Sequence, residues 1–225
     1  MTTDLPPGTP AATAPVPAGV LRAPQQQRSR EKVDRILQAT ARLLEEHEYE
    51  EIGTKLIAAE AGVSIGVLYR FFPDKHAIVS SLLVSWLDEF TAVTEQVLAG
   101  PLPARPGELA ELLLAAHVRI RREQPGFRRL WFGGPPHPEL REYDEATDRA
   151  LAASINAVLV RDYGFPDTAD FLLRTELAVT MAAQLLNLAF KQHAEGDSRI
   201  LAEAQLMLDR WLFDEPGTSS SSAAG

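Results

Sequence analysis

Apolar residues recur at the helical period along most of the chain, and no stretch of useful length alternates at the period of two that a strand needs. Val33, Ile36, Leu37, Thr40, Ala41 and Leu44 stand at i, i+3, i+4, i+7, i+8 and i+11. That spacing places one apolar face on a helix from about Arg28 to Glu46. Two short helices follow, Thr54–Ala61 and Ile65–Phe72, parted by Gly62. A long helix then runs from an Asp74 cap to Leu98, roughly 37 Å for about 25 residues. The segment from Gly100 to Gly107, with Pro101, Pro103 and Pro106, cannot be helix. Leu109, Leu112, Leu113, Ala116, His117 and Ile120 restore the period until Pro125-Gly126. A short aromatic segment, 127–132, comes next, and further helices are expected over Pro138–Tyr163, Thr168–Glu195 and Ser198–Phe213. Residues 1–27, rich in Pro, and 216–225, rich in Ser and Ala, read as disordered tails. The class is all-α, with about nine helices.

The stretch from Gly53 to Lys75 carries the chemistry. Gly62 supplies a left-handed stop, Ser64 caps a second helix and Pro73 closes it. A helix, a Gly-centred turn and a second helix have the form of a helix-turn-helix. Ile57-Ala58, Ala61-Gly62-Val63-Ser64, Gly66, Leu68-Tyr69, Phe72 and Lys75 stand in the order of one family's N-terminal signature. On these residues the chain resembles the tetracycline-repressor (TetR) family of bacterial regulators. The resemblance covers residues 28–80 and implies a three-helix DNA-binding domain (28–73) followed by a helical ligand-binding and dimerisation domain (74–215).

The resemblance assigns Tyr69 and Lys75 to phosphates, and Ile65, Gly66, Val67 and Arg70 to base edges or their surroundings, with Ser64 at the start of the reading helix. Arg28, Arg30, Thr54 and Lys55 are further DNA-contact candidates at helix starts. Arg70 has the geometry to grip a guanine O6/N7 pair, while Ile65 and Val67 can pack only on apolar features such as a thymine methyl. Gly53, Val67 and Phe71 depart from the usual residues of the family, and fewer hydroxyls are left to hold the DNA backbone.

Net charge of −9 changes this picture less than it first suggests. Residues 22–80 hold nine Lys/Arg against nine Asp/Glu, so the acidity sits beyond the DNA-binding part. A neutral head with basic residues at helix starts can still approach phosphates, because placement outweighs the total. The absence of cysteine excludes disulfides, thiolate metal sites and cysteine nucleophiles. No run of about 18 apolar residues and no leader pattern is evident, which points to a cytoplasmic protein with no membrane partner. The five histidines have no metal-ligand spacing, and no nucleophile elbow, phosphate loop or paired-carboxylate site is evident. The chain therefore reads as no enzyme, with no cofactor and no metal.

In the C-terminal part, aromatic residues and a polar stripe mark where a small molecule could sit. Trp86, Phe90, His117, Phe127, Trp131 and Phe132 are pocket candidates, although aromatics at helical spacing more often fill a core. Thr180, Gln184, Asn187 and Lys191 form one stripe on an otherwise apolar helix, and Gln184 and Asn187 face either a pocket or a partner subunit. Ala178, Met181, Ala182 and Leu185, with Leu201, Ala204 and Leu208 on the last helix, suit close packing between two subunits.

These features together predict a homodimeric transcriptional repressor of double-stranded, palindromic operator DNA, released by an unidentified apolar small molecule. The competing readings are a helical ligand carrier or scaffold that does not bind DNA, and a transcriptional activator.

Overall fold

The computed structural model describes residues 27–134 and 138–213. Among them lie nine α-helices and no strand: α1 (Gln27–Glu46), α2 (Thr54–Glu60), α3 (Ile65–Phe71), α4 (Lys75–Ala99), α5 (Pro106–Glu123), α6 (Phe127–Gly133), α7 (Pro138–Tyr163), α8 (Ala169–Gln192) and α9 (Ser198–Leu208). A 3-10 turn at Tyr49–Glu51 follows α1, and a π-helical turn at Asp209–Phe213 extends α9. The expected tails fall outside the described residues, except that Gln27 already opens α1.

Local chemistry explains most of the helix ends. Ser64 Oγ accepts from Val67 N–H, an Asp74 carboxylate oxygen from Ala77 N–H at 2.8 Å, and Thr168 Oγ1 from Phe171 N–H. Each satisfies one amide that the first turn of a helix leaves without a partner. The short aromatic segment is a complete helix, α6. Helix α8 ends at Gln192, three residues before the expected Glu195. Gly196 takes φ +79° there, and Asp197 N–H turns back onto Ala189 O at 3.0 Å.

The apolar face of α1 packs against Ile57 of α2, Leu68 and Phe72 of α3, and Ile78, Leu82 and Trp86 of α4. Phe127 and Leu130 of α6 and Leu140 and Tyr143 of α7 close the same cluster from the other side. Ile36, Leu44, Ile57, Leu68 and Phe72 are fully buried, each stabilising the fold by roughly 1.5–3 kcal/mol. Residue 73 is thus a boundary in the chain but not in the core. A second cluster joins Leu109 of α5, Val158 and Leu159 of α7, Phe171 and Ala178 of α8, and Leu208 and Leu212. Helices α7 and α8 run antiparallel through the Gly164 turn, and Thr175 Oγ1 donates to Asn156 Oδ1 at 3.4 Å, which sets their register. By length and composition α4 could cross a membrane, but 67% of its most apolar window is buried in these cores.

Candidate nucleic-acid interface and ligand cavity

Burial sorts α3 into two faces. Leu68 is fully buried, as is Phe72 just past the helix end, while Ser64, Ile65, Gly66, Tyr69 and Arg70 are exposed and Val67 is half-buried. The exposed side therefore offers a hydroxyl, an aliphatic side chain, a bare backbone position, a phenol and a guanidinium. Tyr69 Oη lies 3.0 Å from Thr54 Oγ1 at the start of α2, joining the two helices on their outer side. The Arg70 guanidinium lies 4.9 Å from the centroid of the neighbouring Phe71 ring, and Lys55 on α2 is exposed.

Thr54 and Lys75, both expected at DNA, also bond within the chain. Thr54 does not cap α2: the cap is Gly53, which has no side chain, and the Thr54 hydroxyl goes to Tyr69. Lys75 is half-buried, donates to Tyr49 O at 2.7 Å and lies 3.8 Å from the centroid of the Tyr49 ring. Desolvation lowers its pKa below the usual lysine value. Lys75 thus fastens the start of α4 to the 3-10 turn with one of its three donors. Arg30 is exposed in the first turns of α1, whereas the side chain of Arg28 lies outside the described residues.

A cavity of about 120 Å³ lies between α4, α5, α7, α8 and the π-helical turn. Its apolar length is walled by residues such as Leu109, Leu113, Leu151, Ile155, Leu159 and Leu212. Phe90, His117, Trp131 and Asn187 face it as well, together with Arg121, Asp144 and Asp148. His117 is neutral: burial and the adjacent Arg121 lower its pKa to about 3, and its Nε2 is hydrogen-bonded to Thr94 Oγ1 at 2.9 Å. The Arg121 guanidinium lies 4.3 Å from the centroid of the Phe90 ring, and its Nη1 donates to His117 O at 3.3 Å. Among the described residues, no group of three or more His, Cys, Asp or Glu side chains is placed to hold a metal ion.

Two family models match this chain. One, described as bacterial regulatory proteins of the tetR family, covers residues 36–82; the other, a tetracyclin repressor-like C-terminal domain, covers residues 104–215. The chain belongs to the TetR family. It is 33% identical over 97 residues to the HTH-type transcriptional repressor KstR of Rhodococcus jostii, a match that spans 43% of each chain. The match to KstR of Mycolicibacterium smegmatis is 36% over 75 residues, 33% of this chain and 37% of that one. These curated relatives are thus matched over less than half of their own length. Among solved structures, a TetR-family regulator from Streptomyces coelicolor superposes with a TM-score of 0.61 at 26% identity, over 80% of this chain and 97% of that one. FadR from Bacillus subtilis, in complex with stearoyl-CoA, shares the fold with a TM-score of 0.61 at 18% identity, over 80% and 97%.

In this TetR-family chain the expected pocket residues separate. Phe90, His117, Trp131 and Asn187 come together at the cavity. Trp86 and Phe127 instead pack on each other, 5.5 Å between ring centroids, in the core shared with α1. Phe132 joins a small cluster with Val118, Leu186 and Phe190, and Gln184 faces outward. The polar stripe of α8 therefore divides: Asn187 enters the cavity, while Thr180, Gln184 and Lys191 are exposed.

The expected subunit-contact residues also separate, because one protomer covers several of them itself. Ala178, Ala204 and Leu208 are buried within the chain, and Ala182 and Leu208 face the cavity. Met181, Leu185 and Leu201 are half-buried. Among the described residues, the large apolar side chains exposed on α8, α9 and the turn beyond are Leu173, Leu177, Leu188, Leu206 and Trp211.

Sequence reasoning missed the charged end of the cavity. Leu140, Asp144, Asp148, Leu151, Ile155 and Leu159 form one stripe along α7. Two carboxylates at i, i+4 on an otherwise apolar stripe were a legible signal of charge turned inward.

Proposed function

We propose that this protein is a homodimeric transcriptional repressor that holds a palindromic operator through α3 and lets it go when an apolar small molecule fills the cavity. The observation that carries the reading is the outer face of α3. A helix whose inner side is locked by Leu68 and Phe72 presents Ser64, Ile65, Tyr69 and Arg70 to solvent, uncovered by any of the described residues. Arg70 is the base-reading donor for a guanine, and Ile65 and Val67 favour a thymine methyl beside it. Tyr69 and Lys55 lie at the rim of this face, where phosphates pass. Two such helices reach successive major grooves when half-sites lie about 34 Å apart.

Release follows from the shared packing. Phe90 walls the cavity and also touches Phe127, with ring centroids 5.9 Å apart, and Phe127 belongs to the core that seats α1. A molecule that spreads Phe90 and Trp131 thereby moves the support of the DNA-binding head. The occupant's effect equals its preference for the spread form over the closed one.

A gel-shift titration of the purified protein with its own upstream DNA tests the reading at two salt concentrations. Sequence-specific binding that weakens steeply with salt is expected. Arg70→Ala should lose at least tenfold in preference for operator over random DNA. Equal affinity for both DNAs in the unaltered protein overturns the proposal.

A further inference from the structure

We propose that the molecule this cavity accepts carries a protonated amine on an apolar body. The inference rests on the cavity being the effector site of the proposed repressor, and it concerns only the end where the polar residues gather. The Thr175–Asn156 hydrogen bond sets the register of the antiparallel pair α7 and α8. Twelve residues further along each helix, about 18 Å, Asp144 on α7 comes level with Asn187 on α8. His117 and Arg121 reach the same end from α5. Eleven residues in the other direction along α7, from Asp148 to Leu159, the wall is apolar apart from Thr175, whose hydroxyl donates to Asn156.

The charges at the polar end do not balance. One guanidinium faces two carboxylates, and neither Asp144 nor Asp148 makes a hydrogen bond or ion pair with it. Arg121 is 8% exposed and lies against the Phe90 ring; its Nη1 donates to His117 O, and its Nε is buried without an acceptor. Asn187 Oδ1 is buried without a donor. Asp144 and Asp148 therefore bring two carboxylates, and Asn187 Oδ1 a further acceptor, to a site with one guanidinium. An ammonium group brings three donors and no acceptor, and one positive charge. An anionic head would add a third negative charge beside a single guanidinium.

Protonation agrees with this count. Burial first, and then Asp144, raise Asp148 to about 7, and burial raises Asp144 to about 6 despite Arg121. The site thus holds more carboxylate than its one cation stabilises.

Isothermal titration of the full chain at pH 7.5 with decylammonium, decanoate and 1-decanol, each below its micelle concentration, decides the matter. Decylammonium should bind at least tenfold more tightly than decanoate. The Asp144→Asn/Asp148→Asn pair should erase that preference and leave 1-decanol unchanged, with folding checked by thermal melting and Asp148→Asn alone as the milder variant. Decanoate binding as well as or better than decylammonium overturns the inference, as does binding of none of the three. Operator release is read separately by gel shift. Amine binding that leaves the operator complex intact supports the head-group inference while removing the effector role. Decanoate preference with operator release does the reverse.

Discussion

The Tyr69 hydroxyl on α3 lies 3.0 Å from the Thr54 hydroxyl at the start of α2, so the two helices of the motif are joined on their exposed side as well as through their core. Both groups are accessible, and such a bond contributes about 0.5–1 kcal/mol to folding at most. Its larger effect is on the aim of the phenol.

Tyr69→Phe and Thr54→Val should each weaken operator binding several-fold while shifting the melting temperature by only a degree or two. The double variant should lose less than the sum of the singles, a coupling of roughly 0.5–1 kcal/mol in a double-mutant cycle of operator affinity. Strict additivity would show that the two hydroxyls act on DNA separately.

Gly53 caps α2 without a side chain at φ −105°, and a Cβ added there meets no atom within 4 Å. Gly53→Ser should therefore fit without strain, stabilise α2 by a few tenths of a kcal/mol and place a hydroxyl on the DNA side. Operator affinity is expected to rise, as measured by fluorescence anisotropy. A fall would mean that this position touches DNA too closely for a side chain.

Gly126 has φ +72°, and a Cβ there would stand 2.5 Å from Leu44 Cβ and 2.6 Å from Ala41 O. The α5–α6 turn is pressed against α1 with no room to spare. Gly126→Ala should cost about 2–3 kcal/mol through strain and overpacking, seen as a lower denaturant midpoint. An unchanged midpoint would mean that α6 moves freely against the head.

Asp148 has a folded pKa near 7 against an ordinary value of 3.8, so the folded state holds its proton where the unfolded state has lost it. A carboxylate shifted upward makes stability fall as pH rises through the window from about 4 to about 7. The protein should lose roughly 1–3 kcal/mol between pH 5 and pH 8. Asp148→Asn should flatten that slope and melt higher at pH 8, with the gain shrinking toward pH 4. Parallel pH profiles for the two proteins would place Asp148 in solvent.

Leu173, Leu177 and Leu188 lie on the exposed face of α8 at 53%, 46% and 55% exposure, separated by Thr180 and Gln184. Three leucines in one stripe are the apolar surface that the proposed dimer would cover. Leu177→Glu or Leu188→Glu should shift sedimentation from dimer to monomer at micromolar concentration and weaken operator binding with it. A dimer that survives both changes must use another face.

Much of this was written locally in the chain. Ser64, Asp74 and Thr168 cap their helices because a cap needs only its own side chain and the amide two or three residues on. The helix expected over Pro138–Tyr163 has those bounds in the structure, since the signals that end it are local too. The inward turn of Leu68 and Phe72 followed from their i, i+4 spacing on a short helix with one apolar side.

Distance in sequence defeats that reasoning elsewhere. Trp86 and Phe90 share one face of α4 at i, i+4, yet only Phe90 reaches the cavity, because α6 covers the turn of α4 above it. Gln184 and Asn187 differ by three residues, about 60° around α8, and that angle puts one in solvent and the other in the cavity. Ala178, Ala204 and Leu208 looked like contact residues for a second subunit because small and apolar side chains suit any close packing, inside a protomer or between two. The sequence by itself determined the helices, their caps and the side of α3 left exposed, all matters of neighbours within about four residues. Only the tertiary structure decided that Lys75 is tied to Tyr49 and that Asp144, Asp148, Asn187 and Arg121 meet. Those contacts depend on how separate helices are rotated and stacked, and the helical period of any one of them carries no record of that.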